Sequence, residues 1–345
     1  MAAGSPQGHA HIEAKAVERE EDLEVHQQKR QDSVSNNGLT WTYMQRPAYA
    51  DLAALGQQRH PSFHRLNFED CLSKIQIPKI DRYDDHIFVV LHFPTPDKER
   101  GFVFSQLSMF IGADYLVTVH QGELRPVEEL FNMCKADERM RQTIMGRSSG
   151  YLVHKIIDTL VDDLLHLLMK VVGNIDDVED LVFDERISVS RQIALLRREI
   201  TTLRRIVIHL RRTVLDLTKD VQRFSKEDLA AYFKDVQDHV DKVYETLEEA
   251  KETVEIYKDT DFVLSTEKTN KILAVLTIIF TLSIPASIVS TFYGMNINLP
   301  GGIQTGEWTQ LGPYTTLIFV IIISAAPAGL MFVYFHKLGW LEAHR

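Results

Sequence analysis

Two apolar runs dominate the carboxyl-terminal fifth of the chain. Residues 272–295 read ILAVLTIIFTLSIPASIVSTFYGM and residues 314–335 read YTTLIFVIIISAAPAGLMFVYF. Neither contains Asp, Glu, Lys or Arg, and each exceeds the ~20 residues a helix needs to cross a hydrocarbon core. Soluble core helices rarely stay apolar all round for this length. Pro285 and Pro327 also suit membrane helices, whose neighbours can re-satisfy freed carbonyls. The pattern therefore predicts two transmembrane helices joined by a loop at 296–313.

Upstream the patterning changes twice. Residues 1–38 are polar, mixed in charge and poor in aromatics, which reads as a disordered tail. Residues 39–150 hold β-branched and aromatic runs at 87–93, 102–111 and 115–120, separated by turn signals. They predict a small sheet with flanking helices in an α+β domain. No proline occurs between Pro126 and Pro285, and the apolar period there becomes helical. Residues 151–224 read as a helical hairpin turning near the acidic corner at 176–185.

From 225 to 271 a stalk helix is expected. Ser225 with Asp228 resembles a capping box at its start. Leu229, Phe233, Val236, Val240, Val243, Leu247, Ala250, Val254 and Tyr257 then recur at steps of three and four. With no Gly or Pro across 226–284, stalk and first span form one helix roughly 100 Å long at 1.5 Å per residue.

Charge sets the topology. The loop at 296–313 has no Lys or Arg, whereas Lys258, Lys268 and Lys271 precede the first span and Lys337 follows the second. The positive-inside bias places both termini, and the tail at 336–345, in the cytoplasm. A formal net charge of −10 argues against a nucleic-acid partner. The RREITTLRR stretch accordingly reads as a solvated, ion-paired helix face. Cys71 and Cys134 have no metal-ligand spacing and read as buried reduced thiols. His60, His64, His86 and His239 form no ligand cluster by spacing. No phosphate loop or nucleophile motif marks an enzyme.

Two spans cannot enclose an aqueous path, so transport through this chain needs several copies. Along the first span, Asn270, Leu273, Thr277, Phe280, Ile284, Ser287 and Thr291 follow at heptad spacing, the repeat that keeps one helix face on an axis. Rings of neutral oxygens there suit a hydrated cation, with Leu273, Phe280 and Ile284 as dewetting constrictions. Asp259 extends the seam to a carboxylate ring at the cytoplasmic mouth. Periodicity fits equally well a helix whose Ser and Thr bond only to backbone or neighbours.

The first span ends in Tyr293-Gly294-Met295-Asn296. This motif, in this place, resembles the signature of the CorA family of Mg2+ channels. The resemblance continues in TNKILAVLTII (269–279), KDVQDHV (234–240), IIDTLVDDLL (156–165) and PKIDRYDDHIFVVL (78–91), and covers most of residues 60–340. It implies a homopentameric funnel in a cell (inner) membrane. The first span would line the pore, and Gly294, Met295 and Asn296 would form the selectivity filter. It implies Mg2+ as cargo and regulator, with Co2+ or Ni2+ as passengers and lipids as surroundings. Asp70 and Asp235 match the family's regulatory carboxylates at subunit interfaces, and Glu69 and Asp158 match a neighbouring site.

Three features depart from the resemblance. The outer loop has one acid, Glu307; the basic segment after the second span is thin, with Lys337 following His336; and the amino-terminal domain is short, so its sheet is expected to lack strands. Two alternatives stand beside a Mg2+ channel: a proton-coupled Zn2+ transporter of ZntB type, which neutral oxygens disfavour, and a non-conducting scaffold or cation sensor.

Overall fold

A computed structural model describes residues 29–73, 76–97, 101–184, 187–295 and 314–338. The chain divides into two compact units, one holding residues up to 181 with 189–257, the other 182–188 with 258 onward.

The first unit contains a six-stranded sheet in the order β1-β2-β6-β5-β4-β3. Its strands are β1 (Arg30–Asn36), β2 (Leu39–Gln45), β3 (Lys79–Arg82), β4 (His86–Asp97), β5 (Gly101–Gly112) and β6 (Tyr115–His120). β2 and β6 run parallel and the other pairs antiparallel. The three foreseen runs became β4, β5 and β6.

The expected tail at 1–38 requires correction, because residues 30–36 form β1. Asn37 (φ 49°) and Gly38 (φ 88°) make the two-residue turn of a hairpin that favours positive φ at both positions. Residues 1–28 lie outside the described residues. β1, β2 and β3 all join the sheet.

Helices α1 (Tyr49–Arg59) and α2 (Arg65–Leu72) cover one face of the sheet. There Met44, Leu52, Leu55, Phe68, Cys71, Phe88, Val90 and Phe110 belong to one buried cluster. Alternation turns Trp41 and Tyr43 to the other face, where both rings meet Phe131 of α3 (Arg125–Ala136) at 5.1 and 4.9 Å. After α4 (Glu138–Met145) come α5 (Ser149–Val182) and α6 (Ser190–Val221), two long helices in the stretch where a helical hairpin was expected. Helix α6 lies along β3, β4 and β5.

Helix α7 (Ala230–Gly294) is one element of 65 residues. It starts later than the sequence suggests. Ser225 Oγ accepts from Glu227 N–H, and Asp228 Oδ1 accepts from Ala230 N–H at 2.9 Å, so Asp228 caps and Ser225 holds the preceding turn. All nine seam residues from Leu229 to Tyr257 are buried. Helix α6 shows a matching seam, including Ile200, Leu203, Val207, Leu210, Val214 and Leu217, also buried. The two run antiparallel in heptad register, with Arg197–Glu255 (3.0 Å), Arg204–Glu248 and Arg211–Asp241 as charged rungs seven residues apart. The RREITTLRR stretch is thus an ion-paired face.

A clamp sets the elbow between α6 and α7. The Gln222 amide donates to Glu227 O (2.8 Å) and accepts from Leu229 N–H (2.9 Å). The Arg223 guanidinium donates to the carbonyls of Tyr83 (2.9 Å) and His86 (2.6 Å). Arg82 pairs with Asp220 at 2.8 Å. The β3–β4 turn is thereby fixed to the root of the long helix.

In the second unit, α7 continues to Gly294, and α8 spans Thr315–Lys337. Both are long and apolar enough to cross a membrane, with almost none of their apolar surface covered within the chain. Pro285 and Pro327 sit inside these helices without ending them.

Candidate ion path and regulatory carboxylates

The heptad face of the first span is uncovered in a single chain. Leu273, Phe280 and Ile284 are 54%, 63% and 51% exposed, and Asn270, Thr277, Ser287 and Thr291 are exposed too. In water such a surface is untenable at this length, so lipid and neighbouring helices are its natural cover.

The hydroxyls on this face carry a definite polarity. Thr277 Oγ1 donates to Leu273 O (2.7 Å), Ser287 Oγ to Ser283 O (3.0 Å) and Thr291 Oγ1 to Ser287 O (2.7 Å). Each proton is spent inside the helix, leaving the oxygen as an acceptor toward its surroundings. A hydrated cation turns water hydrogens outward, so acceptors without competing donors suit it. The two readings of these residues thus coexist: the backbone bonds form, and the oxygens remain available.

At the carboxyl end of this helix, Gly294 is the last helical residue and Met295 N–H donates to Phe292 O at 3.2 Å. Asn296, Glu307 and the rest of 296–313 lie outside the described residues. At the other end the Asp259 carboxylate is 75% exposed, with Lys258 Nζ at 3.4 Å.

The four regulatory candidates occupy three elements. Glu69 and Asp70 lie on α2, Asp158 on α5 and Asp235 on α7. Glu69 and Asp235 are exposed. Asp158 pairs with Lys155 at 2.7 Å; that bond, against the cost of burial, raises the Lys155 pKa. Asp158 and Asp235 share a neighbour in His154, which is packed among Tyr151, Tyr232 and Phe233. Burial lowers the His154 pKa, and the two carboxylates act in the opposite sense.

Asp70 is engaged differently. Its Oδ2 lies 2.7 Å from Lys79 Nζ, which lies 2.6 Å from Asp81 Oδ2. Burial works against this ammonium, yet its bonds to Asp70 and Asp81 hold the Lys79 pKa above the ordinary lysine value. Lys79 was not singled out from the sequence. Its signal was there: Lys79 and Asp81 stand two apart in a strand, on one face.

Carboxylate oxygens suit Mg2+ as donors. Among the described residues, however, no three His, Cys, Asp or Glu side chains converge closely enough to hold a metal.

The family model described as "CorA-like Mg2+ transporter protein" matches residues 36–337. The chain belongs to the CorA-like family. It is 30% identical over 283 residues to the cobalt/magnesium transport protein CorA of Thermotoga maritima, covering 81% of this chain and 77% of that one. It is 27% identical over 307 residues to the putative metal ion transporter YfjQ of Bacillus subtilis, covering 88% and 90%. The complete structure of the CorA magnesium transporter from Methanocaldococcus jannaschii superposes with a TM-score of 0.70 at 18% identity, covering 90% of this chain and 94% of that one. As a CorA-like protein the chain is a membrane transporter for divalent metal ions rather than an enzyme. Its cytoplasmic-type α/β domain, long helix and two apolar carboxyl-terminal helices follow the family architecture.

Proposed function

We propose that the protein conducts Mg2+ into the cell, driven by the membrane potential, through a pore lined by the first spans of a homopentamer. Co2+ and Ni2+ are the expected passengers. Both termini lie in the cytoplasm of a cell whose surface membrane holds the pore, and Asn296 forms the outer ring that meets the hydrated ion. The observation that carries this reading is the polar–apolar seam of α7, whose Thr277, Ser287 and Thr291 hydroxyl protons bond to the helix itself. Acceptor oxygens alternating with Leu273, Phe280 and Ile284 suit a cation that keeps its water, as Mg2+ does because it dehydrates reluctantly. Regulation by cytoplasmic Mg2+ would draw Asp70 and Asp235 from different copies, since carboxylates facing across an interface repel until a cation intervenes.

The test is uptake into liposomes containing the purified full chain, with Mg2+ and Zn2+ offered separately, with and without a proton gradient, beside Asn296→Ala. Mg2+ uptake that ignores the proton gradient and disappears in Asn296→Ala is the expected result. Preferential, gradient-dependent Zn2+ uptake would replace this reading with a ZntB-type transporter. No flux of either ion would leave a scaffold or sensor.

A further inference from the structure

Three facts about Asp70 belong together. It is a partly buried carboxylate, its oxygen is 2.7 Å from the Lys79 ammonium, and that ammonium is shared with Asp81 at 2.6 Å. The surroundings fix this geometry. The backbone carbonyl of Asp70 accepts from the Gln106 amide of β5 at 2.8 Å, which ties α2 to the sheet. Lys79 belongs to β3, paired with β4 in register (Lys79↔Val90), and its Nζ stands 5.8 Å from the Phe88 ring centre. Neither partner hangs on a free loop. An ammonium between two carboxylates fills, with a cation built into the chain, the place that a free cation would take.

We infer that Lys79 is a tethered competitor for divalent cations at Asp70, and that it sets the concentration at which Mg2+ acts on this protein. The inference rests on the reading of Asp70 as a regulatory carboxylate. A divalent ion reaching Asp70 meets a carboxylate already paired with an ammonium, and it must displace Lys79 or bind beside its positive charge. A divalent cation and an ammonium sharing one carboxylate stand about 4–5 Å apart, where even a water-like dielectric makes their repulsion worth roughly tenfold in affinity. At that separation, well inside the ~8 Å screening length of physiological salt, the effect persists under cellular conditions. When the ion leaves, Lys79 returns to Asp70, and the Asp70–Lys79–Asp81 group keeps one net negative charge that still attracts the next cation. The tether thus sharpens neither state; it moves the midpoint upward.

The experiment uses the purified full chain and titrates MgCl2 at constant ionic strength. Two readouts are taken: the Mg2+-dependent rise in melting temperature, and inhibition of Mg2+ uptake by Mg2+ on the cytoplasmic face in liposomes. Lys79→Gln is expected to lower both midpoints roughly tenfold, Lys79→Arg to leave them near wild type because the charge stays, and Asp70→Asn to raise them. Should Lys79→Gln fail to fold, Lys79→Met keeps an aliphatic stem over Phe88 and serves in its place. If Asp70→Asn raises the midpoints while neutral Lys79 variants leave them unchanged or raise them, the competitor role is overturned and the regulatory carboxylate stands. If Asp70→Asn changes neither midpoint, the regulatory reading of Asp70 falls and the role of Lys79 falls with it.

Discussion

Replacing Leu247 with Ala tests what holds the long helix in place. Leu247 sits mid-seam on α7, fully buried, one position before Glu248, whose carboxylate takes the Arg204 guanidinium. The two neighbouring contacts differ sharply in expected worth. A buried Leu→Ala change costs about 3–5 kcal/mol, the lost transfer energy plus a cavity the seam cannot close. The Arg204–Glu248 side chains are 34% and 28% exposed, and a pair so open to water contributes about 0–1 kcal/mol. At 1.4 kcal/mol per tenfold, Leu247→Ala should reduce amide hydrogen-exchange protection along 200–217 and 233–257 by roughly a hundredfold or more. Arg204→Ala should reduce it by no more than about fivefold. The assay is hydrogen exchange with mass spectrometry on the detergent-solubilised full chain. Comparable losses in both variants would refute the argument and show that the charged rungs, not the apolar seam, carry the α6–α7 pairing. The result bears on function because the same helix continues unbroken into the first apolar span.

Three further outcomes follow from the geometry. Burial lowers the pKa of His120 to about 3, and burial with the nearby His209 lowers that of His92 to about 4. Above pH ~6.5 both are neutral folded or unfolded; below it the unfolded chain alone takes the protons, so stability falls by about 1.4 kcal/mol per pH unit for each. Melting temperatures of the full chain between pH 7 and 4.5 should therefore decline less steeply in His120→Asn, which keeps an acceptor for the Gly122 N–H; an unchanged slope would exclude this source. Gln222→Ala removes two bonds at the elbow and should cost about 1–3 kcal/mol, seen as faster proteolysis within 225–229 while cleavage elsewhere is unaltered. Thr277→Val keeps the shape and the helix but deletes an outward acceptor, so Mg2+ flux should fall without loss of assembly on size-exclusion chromatography; unchanged flux would remove Thr277 from the path.

How legible the molecule was in its sequence varied with the range of the interaction. The nine seam positions from Leu229 to Tyr257 were readable because a 3.5-residue repeat needs only neighbours along one stretch of chain to declare itself, and every one is buried. β4, β5 and β6 were equally plain as apolar runs. β1 was missed because an edge strand of alternating polarity looks like a solvated tail; the Asn37-Gly38 turn was its available signal. The start of α7 was misplaced by a few residues because Ser225 and Asp228 both offer capping oxygens, and the fold chose Asp228.

The two spans, the stalk periodicity, the charge asymmetry and the Tyr293–Asn296 motif were thus determined by the chain alone, since each is written within one or two turns of backbone. The partners were decided by tertiary structure. Nothing local assigns Lys79 to Asp70, Arg223 to the carbonyls of Tyr83 and His86, or Arg204 to Glu248. Those pairings come from closing long loops against a packed sheet, where the buried apolar faces fix the register and the charged groups take the partners left within reach.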